Sequence, residues 1–99
     1  MYFLVLLQDL DPDRVVDHEP FIDSLIARNV ILLGGAFDDP PRPGIGAAYV
    51  LRHDSLAEAE ATVATDPLVR NGAVVATVSA WDLVGINTAA IDPDLRDIP

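Results

Sequence analysis

The 99-residue chain has no cysteine, and each of its six cationic side chains is an arginine. Without a thiol there is no nucleophilic cysteine, no thiolate metal site and no disulfide framework, and the redox compartment is left open. Without lysine there is no Schiff-base chemistry and no P-loop phosphate lysine. Long hydrophobic runs are missing too. The N-terminal stretch Tyr2 to Leu7 is apolar, but six residues with no basic flank are too short for a signal core or a membrane span. A soluble, cytoplasmic protein is expected. Sixteen acids against six bases give a net charge of −10, spread along the chain, and such a field repels phosphate backbones and anionic lipid. Neither nucleic acid nor membrane is expected as a partner. Asp-rich, Ala-rich composition and solubility account for most of the charge.

What is present alternates between strand and helix patterns. Tyr2 to Leu7, continuous and rich in aromatic and branched residues, predicts a strand with both faces covered. "DLDPDR" supplies turn chemistry, with Pro12 near a helix start, and a helix follows from about Asp13 to Arg28, closed by Asn29 as a left-handed cap. "VILLGGAF" predicts a second strand ending in a glycine pair, and "DDPPRPG" an exposed loop, since prolines are excluded from a strand interior. "GAAYVL" is a third strand. Asp54 or Ser55 caps a second helix, with Glu58 near its first turn and Leu56, Ala59 and Val63 along its apolar stripe. Pro67 limits that helix, and "AVVATVSAW" forms a fourth strand. A domain over residues 1–84 and a polar tail over 85–99 are expected.

The order β-α-β-β-α-β predicts an α+β, ferredoxin-like fold: a four-stranded antiparallel sheet with both helices on one face. The first strand is apolar on both sides, so the uncovered face is expected to pack on a second copy. In the first helix, Phe21, Ile22, Leu25 and Ile26 form an apolar stripe, and His18 lies on it. The topology brings the start of that helix and the end of the second to one edge. His18 and Asp66 are therefore expected as neighbours, the carboxylate orienting the imidazole and favouring its charged form.

Several stretches together, "HEPFIDSLI", "VILLGGAF", "GIGAAYVL", "ATDPLVRNGAV" and "VSAW", resemble the YCII-related (YciI-like) domain family of the dimeric α+β barrel superfamily. The resemblance covers about residues 2 to 82 and is sharpest at His18 with Asp66, Pro67 and Gly72. It implies a dimer with facing sheets and a His18–Asp66 active-site dyad. One branch of that family removes chloride from a chlorinated hydroxyhydroquinone without a cofactor. The chain departs from the pattern in three places. Arg14 stands four residues before His18 where three is usual, "GGA" replaces Gly-Pro after the second strand, and Leu68 replaces an aromatic.

A small cofactor-independent lyase or isomerase is the resulting expectation, acting on a small aromatic or enolisable molecule. In it His18 is the acid or base, Asp66 orients it, and Arg14, Gly35 and Leu68 contact the ligand. A non-catalytic dimer that binds a metabolite is the alternative. The blander readings are a satisfied core histidine, a helix-capping Asp66, and glycines that serve strand geometry. His53 and Asp54 are expected as surface and capping residues, and Tyr49 and Trp81 as core or interface. No metal is expected, because no His pair has ligand spacing.

Overall fold

The computed structural model describes residues 1–9, 15–37 and 44–95, with 15–17 described by backbone alone. The "DDPPRPG" loop and the start of the first helix fall largely outside these residues, as does the end of the tail. Four strands, β1 (Tyr2–Gln8), β2 (Ile31–Ala36), β3 (Ile45–Arg52) and β4 (Val75–Trp81), form an antiparallel sheet in the order β2-β3-β1-β4. With α1 (Val15–Ala27) and α2 (Leu56–Val63), this is the ferredoxin-like arrangement expected from the sequence. Two short elements are new. Residues Pro67–Arg70 form a separate helix, α3, just where Pro67 was expected to limit α2, and Thr88–Ala90 form a 3-10 turn in the tail.

Alternation along β1 sorts its side chains. Phe3, Val5 and Leu7 are buried under the helices, while Tyr2, Leu4 and Leu6 point to the other face and stay half-buried. β3 answers with Ala47, Tyr49 and Leu51, and α1 and α2 contribute Phe21, Leu25 and Val63 to the same core. At roughly 25 cal/mol per Å² of buried apolar surface, this single layer of core is the main source of stability. The far side of the sheet presents Leu33, Val75 and Trp81, all about half exposed.

The helix boundaries follow from local chemistry. α1 ends in a Schellman motif: Asn29 takes φ 57°, its amide donates to the Ile26 carbonyl, and the Val30 amide donates to that of Leu25. Pro20 lies inside α1, on its exposed side, and supplies no amide to the ladder. α2 starts at Ser55, whose hydroxyl accepts from the Glu58 amide while the Glu58 carboxylate accepts from the Asp54 amide. α3 has Asp66 as its N-cap and Pro67 in its first turn, and Gly72 just past its Asn71 cap at φ 79°. Asp66-Pro67 and Gly72 are thus the start and stop of one four-residue helix, the conformation at Gly72 being one that side chains with a Cβ resist.

Close approach explains another glycine. Gly34 sits opposite Tyr49 on the helix-covered face, and a Cβ there would stand 2.8 Å from that of Tyr49. Gly34→Ala is expected to destabilise the chain by about 1–3 kcal/mol, because two neighbouring strands would have to part. Urea unfolding of the variant checks this.

Candidate functional site

The stripe on α1 carries His18 into contact with the core. Its ring lies 5.5 Å from that of Phe21 and 6.4 Å from that of Tyr49, and the residue is only 8% exposed. At the same edge, the turn into α3 presents Asp66, which is completely buried. His18 Nδ1 and Asp66 Oδ2 are 2.7 Å apart. The other carboxylate oxygen, Oδ1, accepts a hydrogen bond from the Leu68 amide at 3.0 Å. One side chain therefore both caps α3 and faces the imidazole, so the capping and site readings of Asp66 describe the same geometry.

The remaining expected residues are distributed differently. Leu68 is buried in the core, tied to Asp66 through its backbone amide. Gly35 is not brought to the pair: it sits opposite Ala48, one residue out of step with Gly34, so its α-carbon faces the open side of the sheet. Arg14 lies outside the described residues. His53, expected at the surface, is instead tucked under α2 with its side chain 10% exposed and its Nε2 2.9 Å from Thr62 Oγ1. Thr62 and Glu58 of α2 flank the ring. Among the described residues no cluster of His, Asp and Glu converges as a metal set, and no helix is long and apolar enough to cross a membrane.

Tyr49 was not singled out as a site residue, yet its ring stands between His18 and Phe21 on the sheet side, edge-on to Phe21. No local sequence signal marks it, because only the strand register sets Tyr49 opposite Gly34 on the helix face. Burial, reinforced by the nearby Asp66 charge, holds the Tyr49 phenol far above the ordinary tyrosine range.

This has a consequence for alkaline stability. With lysine and cysteine both absent, Tyr2 and Tyr49 are the only side chains of the usual types that titrate near pH 10. The unfolded Tyr49 phenol loses its proton above about pH 10 and the folded one does not, so the folded state binds more protons there. The stabilisation present below the unfolded pKa is then lost as the pH rises. Unfolding free energy is expected to fall across roughly pH 10 to 12, and Tyr49→Phe is expected to flatten that decline in urea titrations.

No family model matches this sequence. An uncharacterized protein of Bacillus subtilis (strain 168), YjpA, is 33% identical over 87 residues, covering 84% of this chain and 98% of that protein. Among solved structures, 5-chloro-2-hydroxyhydroquinone dehydrochlorinase (TftG) from Burkholderia phenoliruptrix AC1100, in complex with 2,5-dihydroxybenzoquinone, matches with a TM-score of 0.64 and 21% identity. The match covers 83% of this chain and 94% of that one, a likeness of fold. An antibiotic biosynthesis monooxygenase is more distant, with a TM-score of 0.47 and 20% identity over 86% of this chain and 100% of the other. The ferredoxin-like fold is shared with the dehydrochlorinase, and at the level of sequence the chain belongs to the family of YjpA.

Proposed function

We propose that this protein is a small cofactor-independent enzyme of the YCII-related type, catalysing proton transfer on a small aromatic or enolisable molecule. The observation that carries the reading is the 2.7 Å contact between His18 Nδ1 and the fully buried Asp66. With Nδ1 held against the carboxylate, Nε2 is the nitrogen that takes a proton from the bound molecule and returns it at another atom. Such a step is redox-neutral and draws on no electron carrier. Asp66 fixes the ring's orientation and tautomer, and is itself fixed by the Leu68 amide. On the family resemblance, Arg14 receives an anionic group of the ligand, Leu68 forms part of the wall, and Gly35 contributes only through its strand.

The open sheet face belongs to the same proposal. Leu4, Leu6, Leu33, Val75 and Trp81 lie on the side away from the helices, and a second copy laid sheet-to-sheet covers them. A homodimer is expected by sedimentation at micromolar concentration. Leu6→Asp is expected to give monomers, because it buries one carboxylate from each copy in the same interface.

The test uses 2,5-dihydroxybenzoquinone, the molecule held by the dehydrochlorinase structure, with hydroxyhydroquinones as trial substrates. Binding is expected to move the NMR signals of His18 and Phe21. Any turnover should fall about 10²–10⁴-fold in His18→Gln, the usual contribution of a positioned acid or base. Asp66→Asn keeps an N-cap side chain but not the charge, so it should lower turnover while leaving the melting temperature nearly unchanged. Turnover undiminished in His18→Gln would rule the acid–base assignment out.

A further inference from the structure

The Tyr49 hydroxyl is buried, and among the described residues it has no hydrogen-bond partner. Tyr49 as a whole is 3% exposed, held between β1 and β2 with Val5 on one side and Gly34 on the other. A phenol in such a place is costly: leaving a buried donor unsatisfied is unfavourable by about 1–3 kcal/mol, and phenylalanine would fill the same space without that cost. The oxygen therefore needs a reason other than packing. Its neighbourhood supplies one, because the Tyr49 ring is 6.4 Å from the His18 ring and the phenol feels the Asp66 charge. The hydroxyl of Thr62, also buried, is by contrast paired with His53 Nε2 at 2.9 Å.

We infer that the Tyr49 hydroxyl is a third functional group of the His18–Asp66 site, donating a hydrogen bond to an oxygen of the bound molecule. The inference rests on the reading of His18 and Asp66 as a small-molecule site and specifies the ligand further. The ligand carries at least two polar positions on a compact frame, one for His18 Nε2 and one acceptor oxygen for Tyr49. A hydroxylated quinone or the enolised form of a carbonyl compound has both. Because the phenol stays protonated throughout the neutral range, it acts as a donor only, and it favours oxygens that gain negative charge as a proton leaves the ligand.

Tyr49→Phe removes the oxygen and nothing else. The variant is expected to melt at or above the wild-type temperature and to bind 2,5-dihydroxybenzoquinone about tenfold more weakly by calorimetry, the worth of one hydrogen bond. Wild-type affinity in Tyr49→Phe, beside weakened binding in His18→Gln, overturns the Tyr49 inference and leaves the His18 reading standing. A loss of stability in Tyr49→Phe also overturns it, since the hydroxyl would then be satisfied within the fold by protein or by a buried water. A wild-type chain that does not bind the quinone removes the ligand class, and the Tyr49 inference with it.

Discussion

A single buried carboxylate ties the two ends of the helical layer together. Asp66 has one oxygen on the Leu68 amide and the other on His18, so it fixes α3 against α1 as it orients the imidazole. A carboxylate out of water is strongly unfavourable unless hydrogen-bond donors and opposite charge surround it. The backbone of its own turn supplies a donor to one oxygen, and the His18 ring of the neighbouring helix faces the other. Remove either and the remaining contact leaves half the carboxylate unsatisfied. Much else follows from that placement. Leu68 is drawn into the core beside Val63 and Leu25, and the chain is returned to the sheet at Val74, whose amide donates to the Leu68 carbonyl.

Most of this architecture was legible because it is carried by local signals. The apolar run of β1, the stripe on α1, the Asn29 cap and the Ser55–Glu58 box each depend on residues close in sequence. The His18–Asp66 meeting was legible for a different reason: a ferredoxin-like chain path leaves few choices about which helix ends share an edge. What escaped was tertiary. A four-residue helix is below the length at which periodicity means anything, so the sequence showed only that α2 stops near Pro67. His53 looked like a surface residue because only the fold lays α2 over it. Gly34 and Gly35 look alike in sequence, and only the register, shifted by an irregularity between Ile31 and Leu33, decides which of them faces the helices.

The two faces of the sheet differ in kind. Under the helices, the side chains of β1 and β3 meet a preformed partner, and the strand pattern is one of full burial. On the other side the sheet offers leucine, valine and tryptophan, from β1 and from the edge strands β2 and β4, within a chain whose net charge of −10 opposes indiscriminate association.

The brevity of α3 separates the heritable fate of the site from that of the scaffold. The sheet and α1 are secured by strand pairing and by a cap that does not involve residues 66–72, while α2 meets that segment where the Asp66 amide donates to the Val63 carbonyl. The carboxylate's position, by contrast, is written almost entirely in a seven-residue segment with its own start and stop signals. Sequence drift within that segment can relocate or delete the acidic partner of His18 while the βαββαβ framework persists. Drift in the framework can likewise proceed around a conserved turn. In a lineage of such chains, chemistry and architecture are free to diverge at different rates.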